Sequence, residues 1–210
     1  MTGSTIVRGR FDKKPIATYP VKLLCLANLQ GAKLSCANLP NEHLVGVNLS
    51  NADLSDADLM CANMHGVNLS SADLSNADLR GANLNFADLS GAILRRTRFN
   101  GAGLAGAKFS GAQLAGSDFR GAYLQNANFS GAIIDGLLVQ GARPFFQIGP
   151  IGSEQEMLNV WITNKGVRLE TDYFFCTKEE FMTTFSKKNI HAQEYAAAFK
   201  LIDTHAKMWP

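Results

Sequence analysis

From Lys22 to Gly141 the chain repeats one order of side chains: a small apolar residue, a polar one, a large aliphatic one, then two residues common in turns. The frame is plainest in Ala52-Asp53-Leu54-Ser55-Asp56, Ala57-Asp58-Leu59-Met60-Cys61, Ala72-Asp73-Leu74-Ser75-Asn76, Ala77-Asp78-Leu79-Arg80-Gly81 and Ala87-Asp88-Leu89-Ser90-Gly91. About 24 units of five follow one another in this frame. A period of five is neither the 3.6 of an α-helix nor the alternation of a long strand, so the chain must turn after each short extended stretch. Residues two apart in an extended stretch share a face, so the small residue and the Leu point the same way, into the core. The polar residue between them and the Ser after Leu point to solvent. The fifth position, often Gly or Asn, sits at a corner that needs a permissive backbone. Four such sides close a square coil of about 20 residues, and stacking at roughly 4.8 Å gives about six coils in a rod on the order of 30 Å long.

The repeat resembles the A-(D/N)-L-x-x signature of the pentapeptide-repeat family over more than half of the chain. The resemblance implies an all-β solenoid, a right-handed quadrilateral parallel β-helix, that works as a binding surface and not as an enzyme. Residues 20 apart should then stack on one side. Phe99 falls over Phe119 and Phe109 over Phe129, on two facing sides, while Leu104 over Leu124 and Leu114 over Ile134 line the other two. Aromatic rings stacked in register are expected there. Glu42 falls at an inward position, one coil after Lys22 on the same side. A buried charge is costly, so a bulge around Pro40–His43 is expected rather than an inward ion pair.

The regular pattern divides the chain into an N-terminal cap segment (1–21), the β-helix (22–143) and a C-terminal module (144–210). Pro15, Pro20 and the alternation from Ile16 to Val21 suggest a strand or loop over the first coil. In the module, Met157–Thr163 reads as a strand, Asn164-Lys165-Gly166 as a turn and Val167–Cys176 as the returning strand of a β-hairpin. Two helices follow. Thr177 with Glu180 forms a capping box for the first, and Tyr195, Phe199, Ile202 and Trp209 recur at helical spacing in the second. The stretch from Ile148 to Ser153, with the hairpin and helix after it, resembles a small module of bacterial and phage-related repeat proteins. It is expected to cap the rod or to bind a partner, and a homodimer through it is one such use. Phe181, Phe185, Tyr195, Phe199, Ile202 and Trp209 are the candidate tail interface.

The net charge of +2 hides an uneven layout: four basic and one acidic residue in 1–21, eight and nine in 22–141, eight of each thereafter. No apolar run reaches the roughly 20 residues of a membrane span, and no secretory leader is expected, because Asp12-Lys13-Lys14-Pro15 follows Arg8 and Arg10 where an apolar core would stand. The four cysteines form no Cys-x-x-Cys pair and are expected reduced, in a cytoplasmic protein.

No catalytic residue, metal site or cofactor is expected. The aspartates recur with the repeat and so form ladders instead of an acid/base pair. His43 and His65 share a side but lack further ligands. Asp53, Asp56, Asp58, Asp73 and Asp78 make an acidic patch on two adjacent sides. Arg95, Arg96 and Arg98, flanked by Arg80 and Arg120, form a basic collar one coil on. These ten residues are the candidate protein-interaction site, for a protein partner that the sequence does not identify. Nucleic acid is not an expected partner, since only Tyr123 and Phe86 offer outward aromatic surface. The family resemblance implies an alternative: mimicry of B-form DNA toward type II topoisomerases such as gyrase. That requires a long negative surface, and here the sign reverses at the collar.

Overall fold

The computed structural model describes residues 5–19, 24–139, 145–151, 156–170, 175–185 and 192–208. Two compact units divide it, Met1–Asp135 and Gly136–Pro210.

In the first unit, residues 20 apart are joined by single parallel β-bridges in four rows. The rows begin Asn28–Asn48, Lys33–Asp53, Asn38–Asp58 and His43–Asn63, and the last bridge is Gln113–Ile133. One unit shows how its backbone is satisfied. The N–H of Asp53 donates to the carbonyl of Ala32 (2.9 Å), that of Leu54 to Asp73 (2.7 Å), that of Asp56 to Ser75 (2.8 Å), and that of Ala57 turns back to Leu54 (3.1 Å). The remaining donor belongs to Ser55, and the Asp53 carboxylate accepts it at 3.1 Å. The same bond from residue i+2 recurs at Asn48, Asp73, Asp88 and Asn128. This explains the Asp or Asn of the repeat: where it is present, its short side chain can close an Asx turn at the corner that follows.

The small and large apolar positions fill the interior, from Leu29 to Ile134. Where Thr97 and Ser117 replace Ala, their hydroxyls are buried and donate to the carbonyls of Leu74 and Leu94 (2.8 and 2.7 Å). The phenylalanines form one stack. Phe99 lies parallel to Phe119 (5.0 Å, 7°) and Phe109 to Phe129 (4.5 Å, 4°), while Phe109 meets Phe119 edge-on across the core at 5.7 Å.

Strands β1 (Thr5–Gly9) and β2 (Pro15–Tyr19) form an antiparallel hairpin, and β1 also pairs antiparallel with β3 (Ala37–Asn38). The hairpin thus covers the open edge of one row, which would otherwise present unpaired backbone groups. Pro15 is tolerated on the outer strand, next to a register shift. The expected bulge at Pro40–His43 is absent. The Asn38–Asp58 and His43–Asn63 bridges continue through it, and Asn41 keeps the corner conformation (φ 60°). Glu42 escapes burial because it sits on the first described rung of its row and is exposed; Lys22 lies outside the described residues.

β4 (Ile133–Ile134) ends the first unit, and β5 (Leu137–Leu138) opens the second. The second unit holds a four-stranded antiparallel sheet in the order β6 (Phe145–Ile151), β7 (Glu156–Thr163), β8 (Gly166–Glu170), β9 (Phe175–Thr177); the expected hairpin is its β7–β8 pair, and the described part of the expected returning strand Val167–Cys176 falls on β8 and β9. Pro150 stands in β6, an edge strand whose register shifts between Ile148 and Ile151, where Pro is accommodated. Helices α1 (Lys178–Phe185) and α2 (Ala192–Met208) follow. The capping box is present: the Glu180 N–H donates to Thr177 Oγ1 (3.1 Å) and the Thr177 N–H to Glu180 Oε2 (2.7 Å). These bonds hold the Glu180 carboxyl below its ordinary range. Thr177→Ala is expected to lower the stability of this unit by about 1 kcal/mol, read by denaturant unfolding.

Candidate protein-interaction surface

The four rows of bridged residues give the first unit four outward surfaces separated by four corner columns. Of the acidic candidates, Asp53 and Asp73 lie on one row, Asp58 and Asp78 on the next, and Asp56 at the corner between them. They are not an open negative face. Asp78 is only 1% exposed and is approached by Arg80 (2.8 Å), Arg98 (3.4 Å) and Arg10 (3.7 Å). Burial pushes its carboxyl up, but the hydrogen bonds and charge of Arg80, with the charge of Arg98, override this and hold it below the ordinary carboxylate range. Asp58 has Arg10 at 3.9 Å.

The collar divides in the same way. Arg80 and Arg98 turn toward Asp78, and Arg120 toward Asp118 (2.9 Å). Arg95 donates to Gln113 Oε1 at 2.8 Å, and the stem of Arg96 lies over Gly116. The structure therefore gathers Asp58, Asp78, Arg80 and Arg98 into one neutralised cluster and leaves Asp56 and Arg96 without a side-chain partner among the described residues. Arg10 was not among the candidates. Its signal was the four-to-one basic excess of residues 1–21.

The tail candidates need correction. Phe181, Phe199 and Ile202 are buried with Leu158, Val160, Leu169 and Ala198 in the core of the second unit. The apolar stripes of both helices cover this unit's own sheet, so these three residues offer no interface. The side chains of Phe185 and Tyr195, and all of Trp209, lie outside the described residues.

A different edge carries exposed apolar surface. One corner column runs Leu26, Gly46, Gly66, Phe86, Gly106, Asn126, each in the left-handed region (φ 59–67°). Leu26 is 78% exposed and Phe86 64%. Bulky residues are rare outliers in this conformation, where Gly or Asn is at ease. The glycines make room for them: a Cβ at Gly46 would stand 2.7 Å from Leu26 Cδ2, and one at Gly106 2.8 Å from Phe86 Cδ1. His65 braces the Phe86 ring edge-on at 5.5 Å. On the adjoining row Tyr123 is 72% exposed. The sequence signal for Leu26 and Phe86 was a large apolar residue in a corner position.

The chain matches the family of pentapeptide repeats in eight copies, over residues 27–60, 62–101 and 102–136, more than half of its length. It belongs to that family. Among solved structures, this pentapeptide-repeat protein is similar to Rfr23 from the cyanobacterium Cyanothece 51142, with 28% identity over 50% of this chain and 84% of that one (TM-score 0.45). It is similar also to a pentapeptide repeat protein of the Arabidopsis thaliana thylakoid lumen, with 26% identity over 53% and 67% (TM-score 0.38). A third is trypsin-treated QnrB1, a plasmid-mediated fluoroquinolone resistance protein, with 20% identity over 52% and 77% (TM-score 0.27). No curated protein matches the chain. Among the described residues, no helix is long and apolar enough to cross a membrane, and no three His, Cys, Asp or Glu side chains are grouped to hold a metal ion.

Proposed function

We propose that this protein is a non-enzymatic, cytoplasmic scaffold, a right-handed β-helix of about six coils that binds another protein. The observation that carries the reading is the apolar edge. Leu26 and Phe86 hold bulky side chains in water and in a backbone conformation that disfavours them, on a column where glycine recurs. Folding gains nothing from this arrangement. Exposed aromatic side chains with a braced ring are the usual anchors of a protein–protein contact.

The alternative, DNA mimicry toward gyrase, draws on Asp53, Asp56 and Asp73. Against it stands the neutralisation of Asp58 and Asp78 by Arg10, Arg80 and Arg98.

Photo-crosslinking from position 86 in the native cell identifies the partner. Phe86→Asn, which suits the left-handed corner, is then expected to weaken its binding tenfold or more, the range of a hot-spot anchor, with the melting temperature kept. Binding unchanged by both Phe86→Asn and Leu26→Asn refutes the edge. Loss of binding only when residues 145–210 are removed moves the contact to the second unit, and inhibition or protection of gyrase supercoiling by the purified protein favours the alternative.

A further inference from the structure

The corner diagonally opposite the apolar edge runs Cys36, Asp56, Asn76, Arg96, Gly116. It is the one corner column of the first unit that carries charges of both signs, and they are evenly placed. Asp56 lies one rung before Asn76 and Arg96 one rung after it, so the two charges stand about 10 Å apart along the axis. One flank repeats the arrangement, with Asp53 beside Asp56 and Arg95 beside Arg96; on the other flank Asp58 and Arg98 belong to the neutralised cluster around Asp78. Arg96 holds a long side chain in the left-handed region (φ 56°), and among the described residues neither its guanidinium nor the Asp56 carboxylate has a partner within the chain.

A surface with this symmetry complements itself. From this we infer that the corner is an interface for a second copy of this chain, laid antiparallel about a twofold axis at Asn76. In that arrangement Arg96 of each copy meets Asp56 of the other, Arg95 lies near the opposing Asp53, and the two Asn76 amides face each other. The contact is isologous, with each pair made twice. A parallel pairing would set Arg96 against Arg96 and Asp56 against Asp56, so the charges select one orientation. One rung further out, Ala115-Gly116 opposes Ser35-Cys36. Arg10 donates to the Asp56 carbonyl (3.4 Å) and spends its charge on Asp58 and Asp78, so the Asp56 carboxylate stays free. Exposed ion pairs are weak and screened by salt; the dimer is therefore weak, and strongest at low ionic strength. Because the Phe86 edge is diagonal to this ridge, pairing leaves both copies' apolar edges outward, and the dimer is bivalent.

Sedimentation velocity of the full chain over a concentration series tests this, with circular dichroism to confirm folding. Self-association is expected at about 50 mM salt and should be lost near 500 mM. Arg96→Asp and Asp56→Arg, each alone, should weaken it tenfold or more, while the double exchange, and an equimolar mixture of the two single variants, should restore it. A chain that stays monomeric at low salt overturns the inference. So does a dimer that neither substitution weakens, which would place association elsewhere, the second unit included. Phe86→Asn leaves the dimer intact, so the test stands apart from that of the partner-binding edge.

Discussion

Phe109→Ala is expected to destabilise the first unit by about 3–5 kcal/mol, the range for emptying an aromatic site in a close-packed core. Phe109 is fully buried, lies parallel to Phe129 at 4.5 Å and meets Phe99 and Phe119 edge-on at 6.2 and 5.7 Å. Removal of its ring takes away contacts on three neighbours at once. The neighbours cannot readily close the void, because Phe99 is held through Arg98 by bridges to the coils before and after it, and Phe119 and Phe129 through Asp118 and Asn128 by bridges to the coil before. The backbone ladder should survive in the native state, so the denaturant midpoint should fall with little change in slope. In a solenoid each coil contacts only its neighbours, so Phe129→Ala, nearer the end of the stack, should cost less. Equal losses at the two positions would contradict this account of the core.

Asp78→Ala should cost about 2 kcal/mol, although the residue stands on an outward row. Its carboxylate gathers Arg80, two residues on, with Arg10 and Arg98 from distant parts of the chain, and truncation leaves three arginines close together with only Asp58 to offset them. The figure stays modest because those arginines keep substantial contact with water. The same group sets an acid limit. Its folded value lies below the ordinary 3.8, so its contribution is complete above the ordinary value and is lost as the pH falls through the depressed one. The Asp118 carboxyl behaves alike: burial raises it, and bonds from Arg120 and Asn100 bring it below 3.8. Stability should therefore stay level from neutral pH down to about 5 and drop only below the ordinary carboxylate range. In Asp78→Ala that drop should be shallower, as urea midpoints taken across the acid range will show.

Much of the first unit was legible because a five-residue period and its 20-residue stacking leave the backbone few choices. Phe99, Phe109, Phe119 and Phe129 could be placed on facing sides from spacing alone. The electrostatics were not legible in that way. Whether Arg98 meets solvent or Asp78 depends on side-chain directions one coil away, and Arg10 reaches Asp78 from a segment with no repeat at all. The helical stripe of Phe181, Phe199 and Ile202 was visible in sequence, but a stripe does not say what covers it, and here the unit's own sheet does. β6 was not among the expected strands, and its Pro150 is tolerated because the strand lies at an edge.

The backbone turn seen from Ala57 back to Leu54 recurs from Ala27–Leu24 to Ala132–Phe129, and it governs how such a chain can change. Every side is bounded by the same local bond and lined by much the same pair of inward residues, so one side is nearly interchangeable with the next. Loss or gain of a single five-residue unit would turn all later coils by a quarter revolution. Their interiors would stay filled, yet every exposed row would be joined to a new one. Loss of four units would shorten the rod and leave the rows aligned. The surface of this fold is thus a dial that slippage in the gene can turn a click at a time, while the core keeps no memory of the setting.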